Sequence, residues 1–324
     1  MTRWMLAAAA MALVGCSHYS DFTLPALEGG TPNLSFRFEE NPQPLVSASG
    51  DALNPSVTEF GGKQVMVYSI FDGVWRTAVQ GQTVLSPDSS TWEGNYIAAN
   101  GAALTDEGVL LYWYVAGPRN AGSIGLATST DGHEFARHGD PVLKPGPFKS
   151  WDERVVADPY VIRVGPYFYM YYLGHDRAQP PQQRLGVARS EDGVHWLKST
   201  ANPILAPGEP GSFDEAGVGE PAVFSYKGFY WMLYTGRDFS EQRRLGLARS
   251  SDGVKWSKLP VVFGGASAWD SKVICDPTVM VQGDTIQVWF GGGDVASPDE
   301  NLHGKIGYGV LRAVAGAGQP TGGR

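Results

Sequence analysis

Residues 186–196 read GVARSEDGVHW, and similar stretches stand at 125–135 (GLATSTDGHEF) and 246–256 (GLARSSDGVKW). In each of them an extended run leads into Asp-Gly. Asp-Gly between two extended runs is a strong hairpin signal, because glycine accepts the positive φ that such turns require. We therefore interpret the Ser-x-Asp-Gly pattern as a structural turn in a repeated β unit.

A strand rich in aromatic residues precedes each of these hairpins. The clearest examples are YFYMYYL at 167–173 and FYWMLY at 229–234. Weaker versions stand at 64–70 (QVMVYSI), 109–115 (VLLYWYV) and 285–290 (TIQVWF). Aromatic residues on both faces of a strand indicate a sheet that is packed on both sides. The sequence thus predicts five repeated units.

Another strand opens each unit. The five openings start at Asn54, Asn100, Asp158, Glu220 and Asp276, and subtraction gives spacings of 46, 58, 62 and 56 residues. Four of the openings follow an aromatic-acid pair, at Trp92-Glu93, Trp151-Asp152, Phe213-Asp214 and Trp269-Asp270. A repeat of this length with four strands is typical of one blade of a β-propeller.

The two ends of the repeat region complement each other. The last unit stops after KIGYGVL at 305–311 without a fourth strand, and LSFRF at 34–38 resembles the strand that is missing. We predict an all-β, five-bladed β-propeller over 34–312, with four-stranded blades and a ring closed by the N-terminal strand, which removes exposed edges. The Gly-rich segment 313–324 is predicted to be a disordered tail.

Composition agrees with this fold class and excludes some partners. The 324 residues include 42 Gly and 22 Pro, which weaken helix interiors. Lys plus Arg is 25 and Asp plus Glu is 33, so the net charge is 25 − 33 = −8. This balance argues against nucleic acid or anionic lipid headgroups as the main partner.

The N-terminus, MTRWMLAAAAMALVGC, indicates export. Its apolar run is too short to span a bilayer, and LVGC at its end is similar to a bacterial lipobox. We predict a signal peptide over 1–15, a lipid on Cys16 and a tether over 16–33. The protein would then be held in the cell envelope, on the periplasmic or outer face; an ordinary cleavable signal is the alternative. Cys275 would remain as a lone thiol, which we expect to be buried without a disulfide.

The opening strand of a propeller blade lines the central axis. The five opening residues should therefore converge at one mouth, together with residues of the loops around it. We predict Asp158, Glu220 and Asp276 as catalytic residues and Asn54, Asn100, Trp151, Arg154, His175 and Arg237 as substrate-binding residues. Other loop residues expected at this mouth are Asp72, Trp75, Arg119, Asp176, Arg177, Asp238, Trp269, Asp294 and His303.

Three carboxyl groups on one axis suit a particular chemistry. They repel one another and burial disfavours their charged forms, so at least one pKa should be raised, which is how a general acid is made. Glycoside hydrolysis uses one protonated carboxyl to protonate the leaving oxygen and one carboxylate to activate water or attack the sugar. Each Asp-Pro by itself is more often a turn element than a catalyst.

Over 34–312 the pattern resembles the five-bladed propeller glycosidases, the superfamily of glycoside hydrolase families 43 and 32. The openings DPYV and EPAV, the aromatic strands and the GVARSEDGVHW-like hairpins carry the resemblance. It implies that Glu220 is the general acid and that Asp158 tunes its pKa and holds the substrate. The family pattern has Asp-Pro in the first blade, where this chain has Asn54-Pro55, and a neutral amide cannot act as base or nucleophile.

Several interpretations accommodate Asn54. Asp276 is the provisional base, from the matched position of the fifth blade, and Asp51 is a second choice. The protein could also bind a sugar without cutting it. Phosphorolysis is a further alternative, since Arg154, His175, Arg177 and Arg237 would place basic groups at the mouth.

We therefore predict a monomeric, lipid-anchored glycoside hydrolase that acts on a pentose- or fructose-containing glycan, such as an arabinoside, xyloside or fructoside. The alternative is a non-catalytic glycan-binding lipoprotein of the same fold, and a third class is a protein-interaction scaffold. The expected partners are a carbohydrate and, through the lipid, a membrane. No cofactor is expected, and although such funnels can hold a structural cation, no zinc-type Cys/His spacing or phosphate-binding Gly motif is present.

Overall fold

The computed structural model describes residues 18–30, 34–119 and 121–315. Within these ranges the chain is built from strands, with one short 3₁₀ turn at Ala268–Asp270. The prediction of an all-β protein is therefore confirmed. None of the helical structure in the described residues has the length and apolar character needed to cross a bilayer. The predicted signal peptide, Cys16 and residues 316–324 lie outside the described residues.

Twenty-two strands occur in the described part of the chain. In chain order they are β1 (Tyr19–Ser20), β2 (Leu34–Glu40), β3 (Val46–Ser47), β4 (Asp51–Phe60), β5 (Lys63–Phe71), β6 (Trp75–Val79), β7 (Gln82–Leu85), β8 (Ile97–Asp106), β9 (Val109–Gly117), β10 (Ser123–Ser129), β11 (Ala136–Arg137), β12 (Val155–Val164), β13 (Tyr167–His175), β14 (Gln183–Ser190), β15 (Trp196–Ser199), β16 (Gly217–Tyr226), β17 (Phe229–Arg237), β18 (Arg243–Ser250), β19 (Ser257–Phe263), β20 (Val273–Gln282), β21 (Thr285–Gly293) and β22 (Lys305–Ala315).

Most of these strands fall into antiparallel groups of four, which we call units 1 to 5. Units 1 to 4 are β4–β7, β8–β11, β12–β15 and β16–β19. Unit 5 consists of β20, β21 and β22 followed by β2 from the N-terminal part of the chain. The pairing of β2 with β22 is the one expected from the sequence. It extends to Ala315, so 313–315 belong to a strand and not to the predicted tail.

Consecutive units share clusters of buried apolar side chains. Representative pairs across the four successive contacts are Val67 and Leu110, Trp113 and Phe168, Tyr171 and Met232, and Trp231 and Val288. A smaller cluster packs Ala52 and Tyr68 of unit 1 against Ile306 of unit 5. Aromatic side chains on both faces of the second strands thus fill the spaces between units, as the sequence indicated.

The Ser-x-Asp-Gly segments form the predicted turns. In unit 3 the Ser190 hydroxyl accepts the Gly193 N–H at 2.9 Å, and one Asp192 carboxylate oxygen accepts two further backbone N–H groups at 2.8 Å. Gly193 has a φ of +75°, and the same bonds recur in the hairpins of units 2 and 4. The structural interpretation of this motif is confirmed.

Residues 18–30, which we call the strap, lie against units 3 and 4 instead of forming a free tether. The strand β1 pairs in parallel with β15, and the Leu24 N–H donates to the Asp252 carbonyl at 2.8 Å. Phe22 and Leu24 are buried in the cluster shared by units 3 and 4. Burial of such side chains contributes about 1.5–3 kcal/mol each, so this part of the predicted tether belongs to the folded domain.

Candidate functional site

The five opening residues occupy one repeated backbone geometry. Each first strand has a bulge at the same place, where its register to the second strand shifts. The residues at the bulges have φ values of +47° to +50° and are Asn54, Asn100, Asp158, Glu220 and Asp276. A residue before proline is normally extended, so this conformation is strained in the four units that have an X-Pro opening, by about 1–3 kcal/mol each. The bulge turns each of these side chains out of the regular alternation of the strand.

The five bulge residues line a single central cavity of about 380 Å³, a size within the usual range for small-molecule sites. Three of the predicted loop residues, Arg154, His175 and Arg237, line the same cavity. Trp75 and Tyr96 provide aromatic surface there. The structure therefore brings together eight of the nine predicted catalytic and substrate-binding residues.

Trp151 is the exception. Its ring packs on Tyr172 at a centroid distance of 5.6 Å and covers Gly174 and Gly186, where a Cβ would collide with it. It does not line the cavity. Trp269 makes the same kind of contact in unit 5, stacked on Phe290. The structure therefore does not bring Trp151 together with the other eight residues, because the aromatic residue of the aromatic-acid pair packs within its own unit.

The remaining loop predictions separate into two groups. Trp75 and Arg119 line the cavity, whereas Asp72, Asp176, Arg177, Asp238, Trp269, Asp294 and His303 do not. Asp51, the second choice as base, is buried and accepts the backbone N–H groups of Asn301 and Gly304 at 2.6 and 2.8 Å. These bonds hold the 301–304 loop, so Asp51 has a structural role.

The floor of the cavity is a hydrogen-bonded cluster around Asp276. One Asp276 carboxylate oxygen accepts the Asn54 Nδ2–H at 2.6 Å, and the other lies 3.3 Å from the Asn54 backbone N. The Asp276 N–H donates to Glu220 Oε2 at 3.1 Å. The Cys275 thiol donates to Asp276 at 3.1 Å and is fully buried, as predicted. Asn54, which cannot act as a base, thus has a different role, because its hydrogen bonds orient Asp276.

Burial shifts the acid-base properties of this cluster. Burial, followed by the charge of Glu220, raises the pKa of Asp158 to about 7, although a hydrogen bond from Asn100 opposes the shift. The same two causes raise the pKa of Asp276 well above its usual value. At neutral pH a share of the Asp158 carboxyl groups is therefore protonated, and this residue can give up and regain a proton readily.

Arg243 is a charged residue of the candidate site that was not predicted from the sequence. It is buried in the lining of the cavity, its charge faces Glu220 and Asp276, and it donates to the Ser297 carbonyl at 3.1 Å. Alternation along β18 shows that Arg243 and its neighbour Arg244 face opposite sides. Nothing in the sequence distinguishes which of the two faces the axis.

Glu220, Cys275 and Asp276 also meet as potential metal ligands, with ligand atoms within 4.8 Å of one another. Metals bind the thiolate form of cysteine, and burial raises the pKa of Cys275 well above its usual value. The positive charge of Arg243 already faces the same carboxyl groups. We therefore assign no metal to this cluster.

Basic groups line the upper part of the cavity. Burial, with the charges of Arg237 and Arg154 as further causes, lowers the pKa of His175 to about 4, so the imidazole is neutral at pH 7. Arg237 pairs with Glu241 at 3.2 Å, while its buried Nε has no partner among the described residues. This wall thus combines two guanidinium groups with one neutral imidazole.

Comparison with known proteins identifies the class. Residues 125–289, half of the chain, match the profile described as "Glycosyl hydrolases family 32 N-terminal domain". The chain belongs to this family, and the resemblance seen in the sequence is confirmed. A solved structure described as "Glycoside hydrolase" superposes with a TM-score of 0.69 at 18% identity, over 91% of this chain and 96% of that one. Identity at this level shows a shared fold alone.

Two curated relatives are similar to part of the chain. "Uncharacterized protein MT1551" of Mycobacterium tuberculosis (strain CDC 1551 / Oshkosh) is 29% identical over 159 residues, 47% of this chain and 52% of that protein. A 1,2-beta-oligomannan phosphorylase of Thermoanaerobacter sp. (strain X514) is 26% identical over 130 residues, 38% of this chain and 43% of that protein. The chain thus spans about half the length of the curated relatives it matches.

Proposed function

We propose that this protein is a glycoside hydrolase that cleaves a pentose- or fructose-containing glycan in the central cavity. The observation that carries the proposal is the convergence of three carboxyl groups from units 3, 4 and 5 on one cavity, with the pKa of Asp158 raised to about 7. A carboxyl in that range can donate a proton near neutral pH and regain it in the next cycle.

The cavity contacts favour a change in the roles of the three acids. We assign the proton donor to Asp158, which would protonate the glycosidic oxygen as the bond to the anomeric carbon breaks. Glu220, held by the Asp276 N–H, would accept a proton from the attacking water or attack the sugar itself. Asp276 is bonded to Glu220 through its backbone N–H and to Asn54 through its carboxyl group, so we assign it the role of holding these two residues in place instead of the role of the base.

We further propose that the five units are the blades of one closed propeller. Two observations support closure: β2 pairs with β22, and the Ala52–Tyr68–Ile306 cluster packs unit 1 on unit 5. A closed ring would fix the spacing of the five bulge residues, because each unit is held by neighbours on both sides.

Phosphorolysis is the second candidate reaction. Arg154 and Arg237 supply the guanidinium groups that an attacking phosphate would need, His175 adds a neutral imidazole, and the Nε of Arg237 is buried without a partner among the described residues. One protein with a similar sequence is a 1,2-beta-oligomannan phosphorylase. We therefore include β-1,2-mannosides among the substrates to be tested.

A substrate panel tests both reactions. Purified protein is incubated with arabinosides, xylosides, fructosides and β-1,2-mannosides, with and without inorganic phosphate, and the products are separated. We expect free sugar from a pentoside or fructoside without phosphate, lost in Glu220→Gln. Sugar 1-phosphate formed only with phosphate would establish phosphorolysis instead. Binding of a panel sugar without turnover in either condition would show a non-catalytic binding protein.

We also propose that a lipid on Cys16 anchors the protein in the cell envelope. The His18 carbonyl accepts the Lys198 N–H of β15 at 2.9 Å, and Cys16 is two residues before His18 in the sequence, a separation that spans at most about 7 Å. Such an anchor would hold unit 3 beside the bilayer. We expect Cys16→Ala to move the protein from the membrane fraction to the soluble fraction, whereas His18→Ala leaves it in the membrane. Equal distribution of both variants would contradict the anchor.

A further inference from the structure

The acids of the aromatic-acid pairs form a repeated structural site in units 2, 3 and 4. Each acid is buried beside the end of its unit and accepts hydrogen bonds from a tyrosine on the second strand and a cation on the fourth strand. In unit 3, Asp152 Oδ2 accepts the Tyr172 hydroxyl at 3.2 Å and the Lys198 ammonium at 2.5 Å. The corresponding sets are Glu93, Tyr114 and Arg137 in unit 2, and Asp214, Tyr234 and Lys258 in unit 4.

Unit 5 has the same site with both donors replaced. Trp269 stacks on Phe290, as Trp151 does on Tyr172, so a phenyl ring without a hydroxyl stands where the tyrosine would be. The strand register places Glu40 opposite Gly309, where Lys198 lies opposite Ala188. Lys258 and Arg137 lie opposite the matching alanines of units 4 and 2. The closing strand β2 therefore brings a carboxyl group to the position at which the other strands bring a cation.

This replacement leaves two acids in contact. Asp270 is fully buried and its Oδ1 accepts the Ser267 N–H at 2.9 Å, while Glu40 Oε1 accepts the Ser267 hydroxyl at 3.1 Å. The two acids therefore meet at Ser267, where their side chains interact. Asp270 Oδ2, which corresponds to the atom that receives both donors in units 3 and 4, receives no N–H or hydroxyl donor from the described residues. Two carboxylates cannot bond to each other, so one of them must carry a proton.

Within the described part of the chain, the surrounding charged groups do not supply the missing cation. Arg244 of β18 donates to the Arg243 carbonyl and to Gln242, both at 3.0 Å. Glu39 of β2 is bonded to Arg312 at 2.6 Å. Lys258 of β19 is bound to Asp214 in its own unit.

We propose that Glu40 and Asp270 share one proton that fastens β2 to unit 5, and that loss of this proton loosens the strand. Burial, followed by the hydrogen bond with Glu40, raises the pKa of Asp270 to about 7. The unfolded carboxyl titrates near 4, so between about pH 4 and 7 the folded state retains a proton that the unfolded state has lost. Stability from this pair is therefore full below about pH 4, falls as the pH rises to about 7, and changes no further above it.

Hydrogen exchange of the β2 amides, residues 34–40, tests the proposal at one strand. In the wild-type protein the opening equilibrium, corrected for intrinsic exchange, should rise by up to about tenfold per pH unit between pH 4 and 7. Glu40→Lys restores the ammonium found in units 3 and 4 and should abolish most of this rise. Asp270→Asn, which keeps a hydrogen-bonding group without a titrating one, should abolish it as well.

Glu59→Lys is the matched control, since it makes the same charge change at an exposed position of β4 and should keep the wild-type pH dependence. The raised pKa values of Asp158 and Asp276 give global stability a slope of the same sign, which all variants share. Comparison at β2 therefore isolates the pair. An unchanged rise in either Glu40→Lys or Asp270→Asn, whichever of them folds, would overturn the proposal.

Discussion

Replacement of Asp158 by asparagine is expected to lower kcat/KM by about 10²–10⁴-fold for a glycoside whose leaving group is a sugar alcohol. Such a leaving group must be protonated as it departs, and Asp158 has its pKa raised to about 7 in the wall of the cavity. With a 2,4-dinitrophenyl glycoside, which leaves without protonation, the loss should be small. The ratio of the two effects separates proton donation from a general disturbance of the site.

The pH profile gives a second measure of the same role. A general acid must be protonated, so activity should fall as the pH rises through about 7, and Asp158→Asn should remove this limb. Asp106→Asn, the same change at a β8 residue paired with Arg163 outside the cavity, should leave the profile unchanged. If Glu220→Gln shows the leaving-group dependence and Asp158→Asn does not, Glu220 is the acid, as the sequence resemblance implied.

Substitution of Lys198 by methionine is expected to cost about 3–5 kcal/mol in the free energy of unfolding, measured in urea at pH 7. Asp152 is fully buried and Lys198 is 5% exposed, so removal of the ammonium leaves a buried carboxylate without its partner. The aliphatic part of methionine keeps most of the packing volume. The loss should therefore come from charge and not from a cavity.

Two comparisons distinguish this effect from loss of any ion pair. The double change Asp152→Asn with Lys198→Met removes both charges and should recover much of the lost stability. Arg163→Met breaks a half-exposed pair with Asp106 and should cost no more than about 1 kcal/mol. Equal costs for Lys198→Met and Arg163→Met would contradict the buried pair as a stabilising element.

Local sequence patterns were sufficient to predict the repeated features. The Asp-Gly turns, the aromatic strands and the positions of the five opening residues each follow from a short motif within one unit, whereas the bulge with positive φ at these openings was not predicted. The pairing of β2 with β22 could also be anticipated, because the last repeat lacked a strand that the N-terminal segment resembled. Eight of the nine predicted catalytic and substrate-binding residues line the cavity for the same reason.

Features that depend on packing between distant segments were not predictable. The strap carries no motif, and its position depends on apolar contacts of Phe22 and Leu24 with units 3 and 4. From the sequence alone, the Trp151 ring could pack on a ligand or on Tyr172, and only the fold shows that it packs on Tyr172. To predict that Arg243 lies in the site, one would need to know which way its side chain points from β18. To predict the Glu40–Asp270 contact, one would need the register of β2 on β22.

The shared conformation of the five bulges separates the scaffold from its chemistry. Amides stand at two of these positions and acids at three, with φ values that differ by only 3°. A substitution of asparagine by aspartate, or the reverse, at such a position therefore needs no change in main-chain conformation. The five bulges are thus equivalent positions around one cavity, at which the charge that faces the cavity can change in one unit without a change in the main chain of the others.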